Sequence, residues 1–284
     1  MRGVSKMIAA LLFATLTVAA MSSQTPGAVR VGYCTRLNGL EAAKAAGFDY
    51  VELHASEVAG LSDADFDAAL ARAKQIGLPT PAANNFIPAT IRLTGPDTKP
   101  EEQMAHVRKA VSRLAKLGTE VIVFGSGGAR RVPDGFSRED AFKQLVDFGR
   151  RAATEAKAYN ITIAVEPLRK QETNIINSAA EGLELVKAID HPNFELMIDF
   201  YHLASEQEDP AIVLKAKDHI KHLHMANPQG RVFPQKWEEF DYAPFFANLR
   251  AIGYNRRISV EAGSQDLPGQ APAAIQLLRS AFTR

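Results

Sequence analysis

Four short segments in the second half of the chain place a carboxylate or an imidazole directly behind an apolar run. They are Ala164-Val-Glu-Pro-Leu168, Met197-Ile-Asp-Phe-Tyr-His202, His222-Leu-His-Met-Ala-Asn227 and Ser259-Val-Glu-Ala262. A single acid in such a place is more often a helix cap or a loop residue than a ligand. Four successive runs that end in Glu166, Asp199, a histidine and Glu261 make a pattern that chance seldom produces. Three carboxylates and one imidazole suit a divalent ion that prefers oxygen, Mn²⁺ first, with Mg²⁺ or Co²⁺ also accepted. An ion held this way can polarise both oxygens of a hydroxyketone and stabilise the enediolate left when the adjacent C–H proton departs. A carboxylate on one face takes that proton, and a second carboxylate opposite returns it, which epimerises the carbon. Return to the neighbouring carbon isomerises an aldose and a ketose, and loss of a β-substituent from the same enediolate makes a keto-sugar lyase.

Such residues need a frame that brings separated segments together. Eight short β-branched runs cover residues 29–33, 50–53, 80–84, 121–124, 161–165, 196–198, 220–223 and 258–260. Most are continuously apolar, as parallel strands buried on both faces are. Amphipathic stretches lie between them, and Ser62-Asp-Ala-Asp65, Ser137-Arg-Glu-Asp140 and Ser178-Ala-Ala-Glu181 open three of these with capping patterns. Gly47, Gly77, Gly118 and Gly253 end several, where a left-handed residue closes a helix. Arg108, Arg113 and Lys116 read as a solvated helix face. Eight alternations without a long linker predict one (β/α)8 TIM barrel over residues 28–284. An open doubly wound sheet would carry a glycine-rich phosphate loop after its first strand, where this chain has Cys34-Thr-Arg-Leu-Asn-Gly39. Gly125-Ser-Gly-Gly128 has neither the rest of a dinucleotide fingerprint nor a P-loop lysine, and reads as a tight loop at the barrel mouth. Functional groups of such barrels stand at the C-terminal strand ends, where the four segments fall.

Composition sets outer bounds. The 284 residues are 46% hydrophobic and 23% charged, ordinary for a globular domain. A formal net charge of +1 with no basic stripe gives no footprint for nucleic acid. The single cysteine, Cys34, excludes an internal disulfide and a four-thiolate zinc site. The first 22 residues differ from the rest: Arg2 and Lys6 precede an apolar run from Met7 to Ala20, with no further charge until Arg30. This order of basic, apolar and small residues predicts a secretory signal peptide cleaved after residue 20 or 22, and an exported, periplasmic or extracellular product without a membrane span. The run is also short for a spanning helix, which needs ~20 apolar residues.

From about Ala28 to its end the chain resembles the xylose-isomerase-like barrel superfamily of sugar (phosphate) isomerases and epimerases, especially the D-tagatose 3-epimerase and hydroxypyruvate isomerase group. The likeness rests on Val165-Glu-Pro-Leu-Arg-Lys-Gln-Glu-Thr173, Ile198-Asp-Phe-Tyr-His202, His222-Leu-His-Met-Ala-Asn227 with Arg231, and Ile258-Ser-Val-Glu261. It implies that Glu166, Asp199, His224 and Glu261 hold one metal ion. It further implies that Glu166 and Glu261 exchange the substrate proton, and that Glu172, His202 and Arg231 contact a small sugar substrate or support the site. His222 and His224 are two apart on one strand and point the same way. The resemblance selects His224 as ligand and leaves His222 a layer deeper, as a core histidine. His54, His106, His191 and His219 read as structural or solvated.

Two loops depart from the group. Pro167-Leu-Arg-Lys170 replaces the usual Pro-Leu-Asn-Arg, and Val232-Phe-Pro-Gln-Lys-Trp237 lacks a Pro-Gly-x-Gly pattern. Both lie where a sugar would sit, so they bear on substrate rather than on metal. The related apurinic endonucleases need further histidines after the third and fourth strands and an Asp-x-His after the seventh. Here those places hold Asn84-Asn-Phe86, Phe124-Gly-Ser126 and a stretch with Trp237 and Glu239. A non-catalytic sugar-binding barrel would be expected to lack one of the two glutamates, and both are present.

Overall fold

The computed structural model describes residues 29–284, so the expected signal segment lies outside the described residues. Eight strands form a closed, all-parallel barrel in chain order, with β1 also pairing β8. They are β1 (Arg30–Thr35), β2 (Tyr50–His54), β3 (Ala82–Asn84), β4 (Val121–Phe124), β5 (Thr162–Val165), β6 (Phe194–Asp199), β7 (Ile220–Met225) and β8 (Arg257–Val260). Each of the eight expected runs overlaps one strand. The third is shorter than its apolar run, because Pro81 within the run has no N–H to give a ladder.

The layers between strands hold α1 (Leu40–Ala45), α2 (Ala55–Gly60), α3 (Asp63–Ile76), α4 (Pro100–Lys116), α5 (Gly127–Arg130), α6 (Arg138–Lys157), α7 (Ala179–Ile189), α8 (Phe200–Ser205), α9 (Ile212–Ala216), α10 (Ala243–Ala251) and α11 (Leu267–Ala281). The three predicted serine caps form: Ser62, Ser137 and Ser178 accept from the backbone N–H of Asp65, Asp140 and Glu181. Gly125-Ser-Gly-Gly128 is not simply a tight loop. Ser126 takes a left-handed φ of 44°, and α5 starts at the next residue. Arg113 corrects the reading of a solvated face. It is buried, and its Nη1 donates to the carbonyls of Val58, Ala59 and Leu61 at 3.0, 3.2 and 2.8 Å. The last carbonyls of α2 lack partners within their own helix, and a guanidinium from α4 supplies them.

The side-chain period of two divides each strand. Val51, Leu53, Ile122, Ile163, Val165, Ile198, Leu223 and Ile258 pack outward into the large core beneath the helices. Tyr50, Ala82, Val121, Val123, Ala164 and Met197 fill the barrel interior. Gly32 makes room there, since a Cβ at that position would stand 2.2 Å from the Tyr50 ring. One pleat further towards the C-terminal ends, the same parity turns Glu52, Asn84, Glu166, Asp199, His224 and Glu261 inward. An apolar plug thus supports a polar floor.

Candidate active site

That floor is closed on one side by Asp199, His224 and the carboxylates that follow β5 and β8. His224 Nδ1 lies 3.3 Å from Glu166 Oε1 and 3.5 Å from Glu261 Oε2. Ligand atoms of Glu166, Asp199, His202 and Glu261 lie within 4.8 Å of one another. Three of the four residues expected to hold a metal, Glu166, Asp199 and Glu261, thus gather with His202, while His224 reaches Glu166 and Glu261 from the side and groups with Cys34 and Glu52. Asp199 is the last residue of β6 and also caps α8, its Oδ1 accepting from the Tyr201 N–H at 2.8 Å. One oxygen is thereby anchored, and the other, Oδ2, is buried without a hydrogen-bond partner. Asn84, at the end of β3, donates to Glu261 Oε1 at 3.1 Å. Behind Glu166, the buried Arg130 donates to the main-chain carbonyl of Glu166 at 2.7 Å and to that of Phe124 at 3.1 Å, tying two strand ends together.

The residues expected to meet substrate divide into two sets. Arg231 Nη2 pairs with Glu261 Oε2 at 2.5 Å, and its Nη1 reaches Glu172 Oε1 at 3.3 Å. Both residues line an open cavity of about 330 Å³ above the carboxylates. Arg231 lies over the Tyr201 ring at 4.7 Å and takes a left-handed φ of 51°. His202 lies behind this wall. Its Nδ1 accepts from the Arg169 N–H at 3.3 Å, so its Nε2 carries the proton and faces Asp199 Oδ2 at 3.5 Å and Glu166 Oε1 at 3.9 Å. A proton-bearing Nε2 is a donor and not a metal ligand. His224 presents Nδ1 to the carboxylates instead, which distinguishes the two rings.

Three acids in one buried place cannot all ionise freely. Burial, with Glu261 and Glu166 adjacent, pushes the Asp199 carboxyl up to about 8. Burial and the Glu261 charge also raise Glu166. Burial opposes the charge on Glu261 too, but His224 and Arg231 outweigh it and hold that carboxyl near 2. His202, buried and facing Arg231, is lowered to about 3 and stays neutral. A cluster short of positive charge, with a buried carboxylate oxygen lacking any partner, fits a divalent cation.

Sequence reasoning missed three members. Glu52 bridges His222 and His224 in the barrel interior. Ser259 donates to Glu52 at 2.6 Å, and Asn84 steadies Glu261. The parity that aligned His222 with His224 also applies here, since an acid inside the buried run Tyr50-Val-Glu-Leu-His54 faces inward with Tyr50. His222 is a core histidine as expected, with Nε2 2.7 Å from Glu52. Of the other histidines, His106 meets the Phe86 carbonyl and His219 meets Glu195, both at 2.8 Å.

Left-handed backbone gathers at the cavity, where Asn85 and Ser126 join Arg231 with φ of 50° and 44°. Gly125 comes close to the chemistry: a Cβ there would stand 2.3 Å from Glu166 Oε2.

The sequence pattern of the xylose isomerase-like TIM barrel family matches residues 40–281. An L-ribulose 3-epimerase of Methylomonas sp. (strain DH-1) is 29% identical over 231 residues, 78% of this chain and 76% of its own length. A D-psicose 3-epimerase of Ruminiclostridium cellulolyticum is 27% identical over 227 residues, 76% of this chain and 74% of its own. The crystal structure of D-allulose 3-epimerase from Methylomonas sp. in complex with D-allulose shares the fold with a TM-score of 0.77. Its identity is 23%, over 90% of this chain and 98% of that one. With the closed barrel and a match over most of its length, the chain belongs to the xylose isomerase-like TIM barrel family.

Proposed function

We propose that this protein is a divalent-metal-dependent epimerase or isomerase of a small ketose, using Glu166 and Glu261 as its two proton carriers. It is an enzyme of the sugar isomerase and epimerase kind, like the ketose 3-epimerases it resembles. The observation that carries the finer reading is the convergence of Glu166 and Glu261, which follow different strands, on His224, each within 3.5 Å of its Nδ1. Glu166, Asp199, His224 and Glu261 would hold the ion, with Mn²⁺ the best match to the donor set. When bound, the ion supplies Lewis-acid polarisation to a substrate carbonyl and its neighbouring hydroxyl.

The rest falls to the chain's own groups. Burial and Glu261 raise Glu166 toward the range in which a carboxylate serves as a base. Glu261 is held ionised by His224 and Arg231, and Asn84 fixes one of its oxygens. A proton taken from carbon by one glutamate and returned to the opposite face by the other inverts that carbon with no net change in atoms. Glu172 and Arg231 line the cavity with polar atoms suited to sugar hydroxyls, while Ile87, Pro88, Ala89 and Leu168 form a drier wall. His202 Nε2, behind the wall, turns a proton-bearing edge to Asp199 and supports the site from there.

Free ketoses incubated with the enzyme in D2O test this reading. Deuterium should enter a single carbon next to the carbonyl, exchange should stop after chelation, and Mn²⁺ or Co²⁺ should restore it. Turnover of ketoses that is indifferent to chelator, or three tightly bound zinc ions per chain, would overturn it.

A further inference from the structure

Two pleats of the barrel interior hold a chain of buried polar groups that the proton-transfer reading leaves unused. Glu52, on β2, is fully buried. Its Oε1 lies 2.9 Å from His224 Nε2, and its Oε2 lies 2.7 Å from His222 Nε2. Ser259 Oγ donates to Oε2 at 2.6 Å and lies 2.8 Å from the Tyr50 hydroxyl. Cys34 Sγ, 3.9 Å from His224 Nε2, closes the remaining side. Ser259 donates to Oε2, and one imidazole Nε2 stands at each carboxylate oxygen, so Glu52 is placed to accept an Nε2–H from both rings.

For His224 this choice has a consequence across the ring. With Nε2 committed to Glu52, Nδ1 is the nitrogen that faces Glu166 and Glu261; in the metal-free chain it shares a hydrogen bond with Glu166 Oε1 at 3.3 Å, and a cation would take the place of that proton. A ring with Nε2 bare would keep its only proton on Nδ1 and close the position to a cation. We propose that Glu52 is the positioning residue of this centre: it fixes the tautomer and plane of His224, so that Nδ1 is available as a ligand, and Ser259 and Tyr50 hold Glu52 in turn. This rests on the metal reading above for its purpose, but the tautomer stands on contacts that need no metal. The arrangement follows a general habit of metal-ligating histidines, whose far nitrogen donates to a carboxylate and so fixes the ring.

The test uses the full chain in wild-type form and as Glu52→Gln and Glu52→Leu, each first checked for folding by circular dichroism. Nitrogen NMR of the imidazoles, metal-free and loaded with Mg²⁺, reads the protonated nitrogen of His224. Calorimetric titration with Mn²⁺ alone reads affinity. The wild type should carry the proton on Nε2 in both forms. Glu52→Leu should bind Mn²⁺ ~10–100-fold more weakly, the range seen when such a partner is removed. Glu52→Gln, which keeps one acceptor, should lose less. A wild-type His224 with Nε2 bare, or wild-type Mn²⁺ affinity in a folded Glu52→Leu, overturns the proposal. Equal losses in both variants with the tautomer unchanged also overturn it, because charge and not positioning would then be the cause. Should the wild type bind no Mn²⁺ while its His224 keeps the proton on Nε2, the metal reading fails and the positioning stands.

Discussion

At the scale of single residues, the two glutamates are separable from the rest of the site. Glu166→Gln and Glu261→Gln keep size and one ligating oxygen but lose the basic carboxylate. Each should lower turnover by ~100-fold or more, the scale of a lost general acid or base. Mn²⁺ should still bind, more weakly; a variant that turns over at the wild-type rate with metal in place would exclude the two-carboxylate mechanism. Asp199 leaves a different signature, in stability. Its carboxyl stays protonated in the folded metal-free chain up to about 8, whereas in the unfolded chain it releases its proton near ~4. The folded state therefore keeps a proton that the unfolded state has lost, and stability falls as pH rises through this window. Below ~6.5 the neutral His202, held near 3, acts in the opposite sense, since its unfolded ring would take a proton there. From ~6.5 to about 8 His202 no longer opposes Asp199, and His224 acts in the same sense as Asp199, because burial is outweighed by Glu52, Cys34 and Glu261, which favour its charged ring in the folded chain. Chelated wild-type protein should melt at a lower temperature at the upper end than at the lower end. Asp199→Asn should reduce that dependence, and saturating Mn²⁺ should reverse it. A flat wild-type profile after chelation would show that Asp199 is ionised throughout.

At the scale of elements, the strand ends do the positioning and their neighbours limit them. Gly125 follows β4, and its missing side chain leaves the space that Glu166 Oε2 occupies. Gly125→Ala should displace Glu166 and weaken Mn²⁺ binding by ~10-fold, on the scale of disturbing a ligand's support. Its melting temperature should change little, because the clash is relieved by one mobile carboxylate. Unchanged metal affinity would mean that Glu166 has a second usable rotamer. The barrel strands were legible because burial on both faces leaves an apolar run that survives without context, and the serine caps because their chemistry is local. The short α2, α8 and α9 offered neither signal, since six residues or fewer span too little of a helical period to mark a face. Arg113 was misread for a related reason: its partners are carbonyls of a different helix, which a charge count cannot see. Glu166, Asp199, His224 and Glu261 were legible as acids and an imidazole behind apolar runs. Glu52 lies within such a run and so resembled a lapse in it.

At the scale of the whole molecule, we propose that the segment before the barrel is an address for export, removed on the way. Expressed with its own N-terminus in a bacterial host, the chain should be recovered outside the cytoplasm without residues 1–20 or 1–22, as intact-mass measurement would report. A soluble cytoplasmic product with an uncut N-terminus would refute export. Within the barrel, the groups proposed to bind metal and move protons stand at the C-terminal ends of β5 to β8, while Ile87, Pro88 and Ala89 of the cavity wall follow β3. That division invites recombination: the first four strands could be exchanged for those of a relative to change which sugar is admitted. Asn84 and Glu52 qualify the invitation. Both sit in the half that would be replaced, yet one holds Glu261 and the other His224. A chimera that inherits the donor's loops but keeps an asparagine at the end of β3 and a glutamate in the middle of β2 should be active. One that discards either has severed a working half from the part of the other half that keeps it in register.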